Sequence, residues 1–332
     1  MSNLPILPKP PEGVQLGLKC PQSVLYNDLG FRGCLPSGFR RVYGIDHAFT
    51  YIAIDGGVKS LDLTNSEFMR KLSPELKADV VAQKYITTTA RNIRQLIRTA
   101  QIVSSPTRWR CEPPGWLTPH WQKSHLRQDL LDDLNLYWDA YEDHAICMYL
   151  FWGVENFVVN NLINELAKAG FQEEVVAGLP TFVVSPEPNW FVSEQKNLEI
   201  LKSRFANGAD DEAVWAAASF HADTFGITYT PYNLGNSLSG ADVVARLKQP
   251  AVPMKSDIKP LDAFPEHIAR LGELVRELTF WKQERTDTLS VADRYAAPMY
   301  KKLSELLDIP VNLIYFMTRN EITEAINGNR VE

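Results

Sequence analysis

Five residues in the second half of the chain carry the side chains best suited to hold a ligand. They are Trp281, Glu284, Arg285, His221 and Tyr229. Trp281 and Arg285 stand four positions apart, so on a helix they share one face. A guanidinium there can stack on or beside the indole and still form a two-pronged hydrogen bond with a phosphate or carboxylate. The spacing therefore predicts a site for an anionic or aromatic ligand.

The same residues also fit a purely structural interpretation. Trp281 can belong to the core, because buried tryptophan is commoner than ligand-binding tryptophan. Arg285 can then pair with Glu284 or Asp287 at the rim of that core. The sequence alone leaves the two interpretations open.

Other kinds of site chemistry lack their usual sequence patterns. His120 and His125 are five residues apart, which misses the i, i+4 spacing that points two imidazoles at one metal ion. Glu142, Asp143 and His144 are adjacent, so on a helix their side chains point in different directions. They would need a distant fourth ligand to hold a metal ion. The sequence contains no Gly-x-Ser-x-Gly turn, Walker-type loop or Gly-rich dinucleotide turn. We therefore predict no catalytic residue, no metal site and no cofactor bound by this chain.

The composition is that of an acidic globular protein. The 332 residues are 45% hydrophobic and carry a net charge of −6, enough for one sizeable core or two modest ones. Nucleic acids and anionic membranes bind to clusters of Lys and Arg, which this acidic composition does not indicate, so neither is expected as a partner. Four cysteines without CxxC spacing and an N-terminus unlike a signal peptide predict a cytoplasmic protein with reduced thiols.

Helix start and stop signals divide most of the chain. They predict helices from Ser73 to Val103, from about His120 to Ala169, from residue 189 or 193 to Ala206, and from Asp210 to Phe225. Gly170 and Gly226 fit the left-handed position that ends a helix, and Ser239 or Ser237 is a candidate N-cap. Because 3.6-residue spacing and helix caps dominate, the predicted fold is mainly α: a multi-helix, aromatic-rich bundle.

One stretch favours strands instead. Arg41 to Ile54 is rich in β-forming residues and ends at a Gly56-Gly57 turn, which predicts a small β-hairpin near the N-terminus. The predicted organisation is an extended, proline-rich arm, a hairpin and helical subdomain, a central helical subdomain, and a C-terminal helical segment. Their ranges are 1–12, 13–115, 116–250 and 251–332.

Three arginines mark one face of the first long predicted helix. Arg91, Arg94 and Arg98 are three and four residues apart, so their cations project on the same side. One interpretation is a solvated basic stripe. The other is a contact with an anion or a partner domain.

Two segments resemble the helical middle region of phosphoenolpyruvate-utilising phosphotransferases, the group that includes phosphoenolpyruvate synthase and rifampin phosphotransferase. In the first, a helix bearing Trp281 and Arg285 leads to Phe316-Met-Thr-Arg-Asn-Glu-Ile322, which is similar to the family's Tyr/Phe-hydrophobic-Thr-x-x-Glu-Ile turn. In the second, the residues from His221 to Gly226 resemble its His-x-x-x-aromatic-Gly element. The first segment runs from Glu277 to Ile322 and the second from Phe220 to Leu247, so together they cover 74 of the 332 residues.

The resemblance implies a division of labour. The family passes phosphate through a histidine in a separate mobile domain and binds nucleotide in another, and none of the six histidines here stands in that phosphohistidine context. The chain is then an acceptor-binding helical module that is inactive alone and leads to a missing phosphohistidine domain. ATP or phosphoenolpyruvate with Mg²⁺ would bind to partner subunits, and a small-molecule acceptor to this chain. The alternative is a non-catalytic scaffold or interaction protein derived from the family.

Overall fold

The fold is helical in every range that the computed structural model describes, namely residues 24–47, 67–104, 119–172, 190–205, 210–226, 238–249 and 260–329. Of these residues 84% are helical, and none of them forms a strand. The prediction of a mainly α protein is confirmed.

Eleven helical segments are described. They are α1 (Val24–Gly33), α2 (Pro36–Tyr43), α3 (67–72), α4 (Ala78–Val103), α5 (Pro119–Lys168), α6 (Trp190–Phe205), α7 (Asp211–Phe225), α8 (Gly240–Leu247), α9 (Glu266–Leu307), α10 (Val311–Ile314) and α11 (Arg319–Ile326). The chain divides into two compact units, one of Met1–Phe157 with Tyr295–Glu332 and the other of Val158–Arg294. The predicted domain boundaries near residues 115 and 250 lie outside the described residues and stay predictions.

The core of the first unit is built around tyrosine. The ring of Tyr26 stacks on Tyr141 at 5.0 Å and on Tyr315 at 5.8 Å between centroids. Trp138 is fully buried, and its indole nitrogen donates a hydrogen bond of 3.1 Å to the hydroxyl of Tyr300. Each buried aromatic removes a large apolar area from water, and the Trp138–Tyr300 bond satisfies two polar atoms inside the core. This accounts for the aromatic richness of the sequence.

The second unit contains a smaller aliphatic core where α6, α7 and α8 meet. Leu198, Ala218, Ala222 and Val243 are buried together. The N-terminus of α8 has the predicted cap: the hydroxyl of Ser239 accepts the backbone N–H of Asp242, whose carboxylate accepts the backbone N–H of Ser239.

The predicted hairpin is not supported. Arg41 and Tyr43 lie in the last turn of α2, which has Pro36 at its start and ends at Gly44 with φ of +69°. Proline in the first turn and a left-handed glycine after the last are the usual limits of a helix, and they outweigh the local β-forming residues. Residues 48–66, which include the rest of the predicted hairpin, are outside the described ranges, as is the N-terminal arm.

Two helix limits also differ from prediction. The helix expected from Ser73 begins at Ala78, because Leu76 has φ of +51° and Ser73 instead accepts the backbone N–H of Lys77 in a turn. Gly226 ends α7 with φ of −60°, so its glycine is not needed for a left-handed conformation. Gly170 does adopt φ of +86° after α5, as predicted.

One helix is long and apolar enough to cross a membrane by length and composition. The Leu126–Lys168 part of α5 has a window with mean hydropathy of 1.3, of which 47% is buried inside the protein. Core helices of soluble proteins have the same properties, so this observation is weak support for a membrane span.

Candidate functional site

The middle of α9 carries an unusual density of buried polar side chains. Over three turns of this helix the buried polar residues are Arg285, Asp287, Thr288, Ser290 and Asp293. A helix buried on all sides normally carries apolar residues at such positions, because burying charge costs free energy unless it is compensated. We define these five residues as the α9 polar segment.

Local hydrogen bonds explain how the helix tolerates its threonines. The hydroxyl of Thr288 donates to the carbonyl of Glu284 at 2.6 Å, and that of Thr279 donates to the carbonyl of Val275 at 3.0 Å. Bonds to the carbonyl four residues back satisfy a buried hydroxyl without a partner from another element. A hydrogen bond to a carbonyl of the same helix does not neutralise a charge. The charges of Arg285 and Asp287 therefore need partners other than these carbonyls.

The two residues predicted to form the site have unequal exposure. Arg285 is only 4% exposed, whereas Trp281 is half-buried at the periphery of the helix. The indole nitrogen of Trp281 lies 3.4 Å from a carboxylate oxygen of Glu277, and its ring meets Phe280 edge to face at 5.1 Å. This is the reverse of the structural interpretation, in which the tryptophan was buried and the arginine lay at the rim. Glu284 is half-buried on the same helix.

Asp287 is an acid of the segment whose pKa is strongly perturbed. Burial raises the pKa of this carboxyl from an ordinary 3.8 to about 6, and the nearby charge of Glu284 adds to the effect. Gln283 opposes it by donating a hydrogen bond of 2.8 Å to Oδ1. The other oxygen, Oδ2, is buried and accepts no hydrogen bond within the described part of the chain. A water molecule or a ligand that donates a hydrogen bond would satisfy it.

His221 lies in a different polar cluster, which joins α6, α7 and α8. Its Nδ1 is 2.8 Å from Oδ1 of Asn197, and its Nε2 is 3.3 Å from Oε1 of Glu194. Arg246 donates to the same Glu194 oxygen at 2.7 Å. Glu194 and His221 are almost completely buried. Both ring nitrogens are therefore engaged, which is the arrangement of a structural network rather than of an open ligand contact.

The structure thus places four of the five predicted residues, three of them on α9 and one elsewhere. Trp281, Glu284 and Arg285 share α9, with Arg285 inside the polar segment. His221 contacts Asn197, Glu194 and the ring of Phe225. Tyr229 lies outside the described residues, so its place in a site stays a prediction.

A second, partly buried polar network holds α11 in the first unit. Arg319 donates to carboxylate oxygens of Asp139 at 2.8 Å and Glu142 at 2.7 Å, and its guanidinium carbon lies 5.4 Å from the centre of the Trp138 ring. Its backbone N–H donates to Asp28 at 2.9 Å. Burial raises the pKa of Glu142, and the charge of Arg319 opposes that rise. Arg319 belongs to the turn that carries the family resemblance, and its contacts here are structural.

Sequence reasoning named Asp287 only as a structural partner of Arg285, and it assigned no role to Glu194 or Arg319. Asp287 had one local signal, a glutamine four residues earlier that can reach it on a helix. Glu194 and Arg319 find long-range partners 27 to 291 residues away in sequence, and no local pattern shows such pairs.

Comparison with protein-family models, curated proteins and solved structures finds no match to this chain. The described residues contain no group of three or more His, Cys, Asp or Glu placed to hold a metal ion.

Proposed function

We propose that this chain is the acceptor-binding helical module of a phosphoenolpyruvate- or ATP-dependent phosphotransferase. The nucleotide-binding and phosphohistidine domains would lie on other polypeptides and act on an acceptor held here. The observation that carries the proposal is the burial of Arg285 within the α9 polar segment, on the helix whose sequence resembles that family.

The energetics of burial support a binding role for this segment. A buried ion pair is often no more stabilising than apolar side chains of similar volume, so charges inside a helix core are poorly explained by stability alone. Asp287 adds a buried carboxylate oxygen without a hydrogen-bond donor among the described residues. Perturbed, buried titratable groups concentrate at functional sites.

The side chains of Arg285 and Trp281 are of types that can bind the small molecule that accepts the phosphoryl group. Arg285 keeps its positive charge when buried and can fork onto phosphoryl or carboxylate oxygens. Trp281, half-buried one turn earlier, offers an aromatic surface for an organic acceptor. Phosphoryl transfer relies on positioned cations more than on covalent participation by the protein, so a module without a nucleophile of its own can contribute in this way.

Ligand binding tests the proposal directly. Rifampin and pyruvate are suitable acceptor probes, because they differ in size and both belong to the chemistry of the resembling family. We expect one of them to raise the melting temperature and quench tryptophan fluorescence, as binding to the folded state alone requires. If neither probe changes either signal, the acceptor role for this chain is wrong.

The scaffold interpretation is the second candidate, and the Arg319 network favours it. Thr318, Arg319 and Glu321, which lie in the resembling turn, are all engaged in capping or ion-pairing contacts within the chain. A family-derived scaffold would keep such contacts and lose the acceptor site. A neighbouring gene that encodes a phosphohistidine domain would support the phosphotransferase module, and an isolated gene would support the scaffold.

A further inference from the structure

One face of α4 carries a row of exposed basic and neutral polar residues, of which Lys84 and Arg91 also donate to the backbone carbonyls of Leu72 and Val42. The exposed positions along it are three or four residues apart, which keeps them on a single side of the helix. They are Lys84, Thr87, Arg91, Arg94, Arg98 and Gln101. We call this row the α4 basic face. At 1.5 Å per residue it extends for roughly 25 Å.

The charge on this face is unbalanced. From Val80 to Val103 the sequence contains no Asp or Glu, although acids outnumber bases in the whole chain by 40 to 34. Several cations elsewhere on the surface are paired with acids. Such pairs are Arg40–Asp46, Lys77–Glu75, Lys168–Glu165 and Lys302–Glu305. Arg94 and Arg98 form no ion pair with any residue that the structure describes.

The opposite side of α4 anchors the helix firmly. Val81, Leu96 and other apolar residues there are fully buried. The hydroxyl of Tyr85 donates to the carbonyl of Cys147 at 2.7 Å, and the amide of Asn92 donates to the carbonyl of Asp143 at 2.9 Å. The basic face is therefore displayed on a rigid element, which lowers the entropic cost of binding.

We propose that the α4 basic face docks an acidic surface of a partner protein, most simply a helix with carboxylates at matching three- and four-residue spacing. The guanidinium groups of Arg94 and Arg98 would fork onto those carboxylates. Neighbouring Gln95 and Gln101 add neutral hydrogen bonds, and Ile102, which is 39% exposed at the end of the row, provides an apolar contact. A protein partner fits better than nucleic acid, because the net charge of −6 repels a dense polyphosphate.

The physics of exposed charge sets the character of this contact. Each exposed ion pair contributes little by itself, and salt screens it within about 8–10 Å at physiological ionic strength. Complementary charge therefore contributes more to the rate of association and the choice of partner than to tight binding. We expect a modest affinity that falls as salt rises.

A synthetic helical peptide tests the proposal. The probe has glutamate at alternating three- and four-residue spacing, and a matched peptide has glutamine at the same positions. Fluorescence anisotropy with the full chain should show binding of the glutamate peptide only. Replacing both arginines (Arg94→Glu with Arg98→Glu) should weaken that binding by on the order of tenfold or more, the effect of losing and reversing two ion pairs.

The control makes the same change of charge elsewhere on the first unit. Arg70→Glu with Lys301→Glu alters two exposed cations that are not members of the row and should leave peptide binding unchanged. Equal loss in both double variants, equal binding of the glutamine peptide, absence of peptide binding, or equally tight binding of a short DNA duplex would each overturn the proposal. If the glutamate variant does not fold, Arg94→Gln with Arg98→Gln replaces it.

Discussion

Arg285 decides between a binding and a structural role for the α9 polar segment. Arg285→Ala should leave α9 intact, because alanine is the better helix former. The loss of a charge-assisted contact should weaken binding of the acceptor probe by about 1.5–3 kcal/mol. Titration by tryptophan fluorescence and a thermal melt on the same sample measure the two effects.

The matched control for Arg285 is Arg270→Ala, which removes an exposed arginine from the same helix. It should change neither probe binding nor the melting temperature appreciably. If the melting temperature of Arg285→Ala falls steeply while probe binding is unchanged, Arg285 is a structural residue.

Asp287 should give the protein a recognisable dependence on pH. Its folded-state pKa of about 6 lies above the ordinary 3.8, so the folded protein holds this proton more tightly than the unfolded chain does. The contribution of this carboxyl to the free energy of unfolding is fully present below about pH 4 and is lost as pH rises through about 6. The shift corresponds to about 3 kcal/mol.

Asp287→Asn should remove this loss, which urea unfolding at a series of pH values measures. The variant's free energy of unfolding should fall less than that of the wild type between about pH 4 and pH 6. Asp262→Asn, at an exposed position, should follow the wild-type profile. A profile for Asp287→Asn that coincides with the wild type would mean that burial does not perturb this carboxyl.

At the scale of elements, Glu194 holds α6 to its two neighbours in the second unit. Glu194→Gln keeps the shape of the side chain but removes the charge that His221 and Arg246 share. We expect a loss of about 1.5–3 kcal/mol in the free energy of unfolding, the range for hydrogen bonds to charged groups. Glu199→Gln, in the same helix but exposed, is the control, and an equal loss in both variants would contradict the network.

The cap of α11 gives a second test at this scale. The hydroxyl of Thr318 accepts the backbone N–H of Glu321, so Thr318→Ala should cost about 1 kcal/mol of stability. Thr323→Ala changes a threonine within the same helix whose hydroxyl bonds to the carbonyl of Arg319, and it should cost less. Chemical denaturation compares the two variants, and a larger cost at Thr323 would show that the cap is unimportant.

These elements show how far the sequence could predict the fold. The limits of α5 and the cap at Ser239 follow from local signals and agree with the structure. In the described part of the predicted hairpin, the β-forming residue Val42 instead lies in α2, where it is buried. Tertiary packing of this kind overrides local propensity.

The candidate site was less predictable for a physical reason. Helical spacing placed Trp281 and Arg285 on one helix face, yet burial depends on which neighbouring elements pack there. Periodicity therefore did not show that the arginine is buried and the tryptophan is half-exposed. The engagement of His221 by Glu194 likewise arises only when α6 and α7 pack together.

At the scale of the whole molecule, histidine accessibility bears on where the chemistry occurs. A phosphocarrier histidine must meet a donor and then an acceptor, so its ring must be accessible. His47, His144 and His221 are buried, and His267 is exposed and lies 3.5 Å from Glu165. His221 is further held by both ring nitrogens. The three buried rings are therefore poorly suited to carry a mobile phosphoryl group.

We therefore expect the purified chain neither to hydrolyse ATP nor to become phosphorylated by phosphoenolpyruvate. Mass spectrometry under alkaline conditions, which preserve phosphohistidine, measures the second outcome after incubation with phosphoenolpyruvate and Mg²⁺. An active phosphoenolpyruvate synthase in a parallel reaction is the positive control. In the proposed function, this chain binds the acceptor and a domain on another polypeptide carries the phosphoryl group. Binding of an acceptor probe without formation of phosphohistidine would therefore agree with the proposal. Phosphohistidine on this chain would instead place the transfer chemistry within it and overturn that division.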